Sequence, residues 1–160
     1  MKLTLRVNGG DVAIDVDAGV SLLDALRDAG FASVKRGCEQ GTCGSCTVLV
    51  DGVPMLSCML FAASMEGRAI TTVEALGTPN RPHPLMVAFA DEGAVQCGYC
   101  TPGMILSAHA LLKENPHPAE ADVREALDGH LCRCTGYVKQ VRAVMKAAEA
   151  MAGGPRGTEA

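Results

Sequence analysis

Gly37-Cys38-Glu39-Gln40-Gly41-Thr42-Cys43-Gly44-Ser45-Cys46 is the stretch on which the reading of this chain turns. Its three cysteines stand at C-x4-C-x2-C spacing, and a fourth, Cys58, follows. That is the ligand spacing of plant-type [2Fe–2S] sites. Four thiolates must converge on two irons, so the backbone has to fold tightly around them. Gly37, Gly41 and Gly44 permit the positive φ angles and close approach this needs. The loop's N–H groups can then point at sulfur and offset the negative charge of a tetrathiolate site.

Working outward, both flanks read as a small sheet on one helix. Leu3, Leu5 and Val7 alternate with polar residues, Asn8-Gly9-Gly10 is a turn, and Val12, Ile14 and Val16 alternate again. This predicts a β-hairpin with one buried face. Ser21-Leu22-Leu23-Asp24 opens a helix with a capping box; Leu22, Leu23 and Leu26 point inward and Gly30 stops it. After the cysteine loop, Thr47 to Val50 and Val53 to Ser57 form a second hairpin around Asp51-Gly52. Its return strand delivers Cys58, and Ala69 to Val73 is a last strand.

The composition shifts at residues 78–84, where three prolines fall within six residues and neither strand nor helix can continue. This segment reads as a linker between a domain at 1–77 and one at 85–152. Beyond it the periodicity is helical: Leu85 to Asp91; a helix with Thr101 as N-cap and Pro102 at N1; Ala119 to Asp128; and Tyr137 to Met151. Met104 and Met145 sit on apolar stripes and read as core filler. Residues 153–160 are Gly/Pro-rich and read as a disordered tail.

The helical half carries its own cysteines. Cys97 and Cys100 (C-x2-C) precede the second helix, and Cys132 and Cys134 (C-x-C) precede the fourth. Helix N-termini stabilise thiolate. Antiparallel neighbouring helices can bring the two loops to one point. The arithmetic is then four cysteines in each half and none left over. Taken alone, the second set also suits zinc.

Composition narrows the function. With 48% hydrophobic residues but only 3% aromatic, each half has a thin aliphatic core that a metal site would help hold. A formal net charge of -4 argues against a nucleic-acid surface. No apolar run approaches the ~20 residues of a membrane span. The N-terminus alternates like a strand and lacks a secretory block, so the expected compartment is the cytoplasm. There, clustered cysteines read as metal ligands, not disulfides. His83, His109, His117 and His130 are not at ligand spacing.

Three segments together resemble the small iron–sulfur subunit of the molybdenum hydroxylases, the xanthine oxidase and aerobic carbon monoxide dehydrogenase-like family. They are residues 37–47, Gln96-Cys97-Gly98-Tyr99-Cys100-Thr101-Pro102-Gly103, and Leu131-Cys132-Arg133-Cys134-Thr135-Gly136-Tyr137. The resemblance covers about residues 2 to 150. It implies an α+β chain: an N-terminal β-grasp, ferredoxin-like domain followed by a C-terminal four-helix bundle, each holding one [2Fe–2S] cluster. Carried over, Cys38, Cys43, Cys46 and Cys58 hold a flavin-side cluster. Cys97, Cys100, Cys132 and Cys134 hold a molybdenum-side cluster. Gln96 would hydrogen-bond the pterin and Cys134 would approach its edge, although the Gln96 amide could instead satisfy local backbone.

The implied function is electron transfer inside an oxidoreductase. Electrons leave molybdopterin in a large subunit and pass through the two clusters to FAD in a medium subunit. The assembly would be a heterotrimer or a dimer of heterotrimers. Lys35, Arg36 and Arg133, next to ligands, are expected to raise cluster potentials, and Glu39 reads as a solvated loop charge. The competing functions are a free two-cluster carrier and a zinc-stabilised interaction module.

Overall fold

The computed structural model describes residues 1–153. The first half is a five-stranded mixed sheet in the order β2-β1-β5-β3-β4. β1 (Lys2–Val7) pairs antiparallel with β2 (Gly10–Asp15), and β3 (Thr47–Val50) with β4 (Val53–Leu56). β5 (Ala69–Thr71) lies between the hairpins, parallel to β1 and antiparallel to β3. Asn8 and Gly9 both take positive φ, as do Asp51 and Gly52. Two-residue hairpin turns of this hand match the right-handed twist of the strands.

Alternation decides which side of the sheet is buried. Leu3, Leu5 and Val7 are buried with Val48, Val50 and Ile70. α1 (Leu22–Asp28) covers them with Leu22, Leu23, Ala25 and Leu26. The helix starts as its sequence prescribes: the Asp24 N–H donates to the Ser21 hydroxyl oxygen at 3.1 Å. It ends at Gly30, whose φ is +95°.

The second half holds four helices: α2 (Pro84–Asp91), α3 (Thr101–Glu114), α4 (Glu120–Leu127) and α5 (Val138–Gly153). They enclose a separate core of Leu85, Phe89, Met104, Ile105, Leu112, Val123, Leu127, Val141 and Val144. Val73 and Leu76, on the 3-10 turn after β5, pack against this second core. Met104 is fully buried and Met145 packs at the core's edge, as filler should.

Several boundaries differ from the sequence reading, and β5 ends at Thr71 where the sequence predicts a strand to Val73. Cys58 sits on a 3-10 turn (Ser57–Met59) and not on a continuing strand, because the chain must bend back toward the cysteine loop. Cys100, not Thr101, is the N-cap residue of α3, which leaves Thr101 and Pro102 inside its first turn. Tyr137 stays outside α5, with φ +69°. Gly153 is the last residue of α5, so the remainder of the expected tail, 154–160, lies outside the described residues.

Candidate metal centres and their contact

The first cysteine loop runs between α1 and β3, and backbone bonds tie its ends together. Lys35 N–H bonds the Ser45 carbonyl at 3.2 Å, and Ser57 N–H bonds the Cys46 carbonyl at 3.3 Å. Ser57 also donates its hydroxyl to that carbonyl at 2.7 Å. The loop therefore closes on itself and draws Cys58 to Cys46. Cys38 lies beside Cys43, and Cys46 beside Cys58.

The expected N–H donors are present. Gln40 and Thr42 direct their amides at the Cys38 sulfur, at 3.4 and 3.3 Å. The Thr42 side chain and these amides hold the Cys38 thiol down to about 6. Burial pushes Cys58 the other way, up to about 11. The glycines leave room for the thiols: a Cβ on Gly37 would stand 2.6 Å from Cys43 Sγ.

The second site forms where the N-terminal end of α3 meets the loop before α5. Cys97 and Cys134 lie 3.5 Å apart, sulfur to sulfur, and Cys100 lies beside Cys132. Cys97 and Cys134 are exposed, whereas Cys100 is buried and its thiol is pushed up to about 12. Gln96 Nε2 donates to the Cys134 carbonyl at 3.2 Å, tying the two loops together. Tyr137, just outside α5, accepts the Cys132 N–H at 2.7 Å on its phenol oxygen.

In both places the thiols meet two by two. Among the described residues no three His, Cys, Asp or Glu side chains converge on a point that suits one metal ion. The thiol pairs at each place could hold the two irons of a [2Fe–2S] cluster. All eight cysteines are free thiols.

The two loops touch directly. Leu131 N–H donates to the Cys43 carbonyl at 3.0 Å, so a neighbour of one site is bonded to a cysteine of the other. Tyr99, between Cys97 and Cys100, donates its hydroxyl to the Arg36 carbonyl at 2.5 Å. His130 is 4% exposed and sits at the centre of the contact. Its Nε2 lies 2.8 Å from the Ser107 hydroxyl, while Nδ1 faces the Gly44 backbone without a well-formed hydrogen bond. Burial pushes this imidazole down to about 4, so it is neutral. A Cβ on Gly44 would stand 2.5 Å from the Gly129 carbonyl, and one on Gly103 would stand 2.5 Å from the Gly44 carbonyl. The backbones are in contact here, which brings the two sites together.

Comparison with known proteins agrees with this geometry. Residues 5–71 match the 2Fe-2S iron-sulfur cluster binding domain, and residues 72–145 match the [2Fe-2S] binding domain. The chain is 45% identical to the nicotinate dehydrogenase small FeS subunit of Eubacterium barkeri, over 93% of this chain and 96% of that one. The chain belongs to the small iron–sulfur subunits of the molybdenum hydroxylase family.

The solved structures agree with that membership. Quinoline 2-oxidoreductase from Pseudomonas putida 86 superposes with a TM-score of 0.89 at 44% identity, covering 94% of each chain. The aldehyde oxidoreductase of Desulfovibrio desulfuricans superposes at 0.91 and 44% identity, over 95% of this chain but 17% of that one. This molybdenum hydroxylase subunit is thus a ferredoxin-like domain followed by a helical one, with two [2Fe–2S] clusters and an electron-transfer role in an oxidoreductase.

Sequence reasoning missed several residues that shape the sites. His130 and Tyr99 join the two loops, and neither shows a periodicity or spacing that points to the other half. Gln140 is completely buried on the α5 stripe, beside Cys132. Its signal was available: a lone amide at the core-facing position before Val141 and Val144. The charge readings also change. Arg36 is ion-paired with both Asp24 and Glu39, so Glu39 is not simply solvated and Arg36 is not a free positive charge beside the loop. Lys35 donates to the Ala32 carbonyl at 2.8 Å.

Proposed function

We propose that Cys38, Cys43, Cys46 and Cys58 hold one [2Fe–2S] cluster and that Cys97, Cys100, Cys132 and Cys134 hold the other. The observation that carries this is the two-by-two meeting of all eight thiols on two separate cores. When bound, the clusters supply one-electron capacity at two points along the chain. The residues do the rest: glycine gives the thiols room, amides at Gln40 and Thr42 face sulfur, and the Leu131–Cys43 hydrogen bond sets the approach of the two halves. Domains at 1–77 and 85–152 with a linker at 78–84 are proposed on these two cores, with Val73 and Leu76 packed against the second core and Pro84 opening α2.

The exposed pair Cys97 and Cys134, with Gln96 bonded beside them, is proposed to face molybdopterin in a large partner. Gln96 already engages the Cys134 carbonyl, so one amide hydrogen stays available to the pterin. The exposed Met59 and Phe61 beside Cys58 are proposed to face a medium, FAD-binding partner. With the groups bound, the helical-domain site would take electrons from molybdenum and the first site would pass them to flavin, the Leu131–Cys43 contact holding the two sites side by side. The assembly is a heterotrimer or a dimer of heterotrimers in the cytoplasm, where eight free thiols persist.

Substrate choice belongs to the large partner. This chain is 44–45% identical to proteins whose names specify nicotinate, quinoline and aldehyde, which fits a wire more than a selector. No helix among the described residues is long and apolar enough to cross a membrane. Native size-exclusion tests the assignment. A subunit elutes with two larger, differently sized chains carrying molybdenum and flavin, whereas elution alone as a coloured monomer would favour the free carrier.

A further inference from the structure

Gln140 is a buried amide in an otherwise apolar stripe, fully shielded from solvent. Its Nε2 lies 3.2 Å from the Ala94 carbonyl oxygen, which can only accept. That contact fixes the amide orientation, because the flipped form would set two carbonyl oxygens against each other. The same Nε2 bonds the Thr135 hydroxyl oxygen and lies 3.8 Å from Cys132 Sγ. Thr135 Oγ1 is in turn 3.0 Å from Cys132 Sγ.

Donor and acceptor roles follow. Nε2 can only donate, so it occupies a lone pair on the Thr135 oxygen. The single Thr135 hydrogen is then free to point at sulfur, which as a thiolate can only accept. The direction of the relay is therefore set from α5: Gln140 N–H to Thr135 O–H to Cys132 sulfur. Gln140 Oε1 has no partner. A buried amide with one end unsatisfied is costly to keep. A leucine of similar size would fit the stripe without that cost.

We propose that Gln140 is a positioning residue for the helical-domain cluster, locking the Thr135 hydroxyl as a donor to Cys132 and so raising that cluster's potential. Hydrogen bonds to ligand sulfur stabilise the more negative reduced form, which moves the potential upward. The proposal rests on the ligand assignment given above. It also accounts for an arrangement that differs from the first site, where the donors to Cys38 come from the loop itself, the Thr42 side chain and the Gln40 and Thr42 amides, and no buried side chain of a distant helix takes part.

The test is an EPR-monitored redox titration of the purified complex bearing Gln140→Leu, Thr135→Val or both. The first cluster's signal serves as an internal reference. Q140L is expected to shift the second cluster's midpoint to more negative values and alter its g-values, with the first cluster unmoved and the iron content at the wild-type level. T135V is expected to do the same, and the double variant to fall short of the sum, because the two side chains form one relay. A Q140L midpoint equal to wild type would overturn the proposal. So would equal shifts of both clusters, or fully additive effects. Failure of the ligand assignment is separable: it would appear as Cys132→Ser leaving the second signal intact.

Discussion

The two cysteine sites solve one problem by different means. In the first, three of four thiols come from one short loop, and the donors to Cys38 belong to that loop: the Thr42 side chain and the amides of Gln40 and Thr42. In the second, the thiols come from two loops separated by α3 and α4, and a side chain from α5 joins Thr135 and the loops' own amides beside them. The first site is largely encoded locally, by glycine and spacing. The second exists only once helices have packed. Disturbing the helical core should therefore harm the second site first, while the first site should respond to changes within its own loop.

The largest expected effect breaks the sites one at a time. Cys46→Ser should remove the first cluster and Cys100→Ser the second, each halving the iron measured per chain and leaving one EPR signal. Loss of both signals from either substitution would mean that the halves do not load independently.

Next in size is the contact between the sites. Gly44→Ala places a Cβ against Gly129 and His130 at a residue with φ +72°. Overpacking and left-handed strain together should cost roughly 2–5 kcal/mol in chemical denaturation. Gly98→Ala carries the strain alone, since its nearest neighbour is Val95 at 3.8 Å, and should cost about 1–2 kcal/mol. Equal costs would show that the backbones are not in contact at Gly44.

Tyr99→Phe removes the hydroxyl that reaches Arg36 and should cost about 1 kcal/mol. Amide hydrogen exchange should rise in residues 36–43 and stay unchanged in β1 and β2.

The smallest effect is with pH, and it again separates the halves. His83 and His109 meet edge to face, with ring centroids 5.1 Å apart. Burial lowers the pKa of both below the ordinary 6.5, and for His109 the charges of His83 and Lys113 add to it. The unfolded chain then takes up protons before the folded one, so stability is full above pH 6.5 and falls as pH drops below it. Residues 1–77 contain no histidine, so this decline should be confined to the helical half. His130, pushed down to about 4 by burial, contributes to the same decline, so His109→Leu should lessen it in thermal scans and leave the share of His83 and His130.

Much of this was legible in the residues. Alternation gave the strands, Ser21 and Gly30 bounded α1, and cysteine spacing grouped the eight thiols. What escaped is non-local. Nothing near Tyr99 or His130 says that Arg36 and Gly44 will lie against them. That contact follows from how two separately formed cores dock. The helix start at Cys100 was read one residue late because Thr-Pro is the stronger local signal. The Arg36 charge was read as free because Asp24 is twelve residues away in sequence and adjacent only once α1 has formed.

We propose that this one chain holds two [2Fe–2S] centres, each caged by its own four thiols. Spin integration of the fully reduced protein, alongside its iron content, tests it most directly. Two unpaired spins per chain are expected, in two signals with different g-values. A single spin per chain, or a colourless protein with zinc in place of iron, would contradict it.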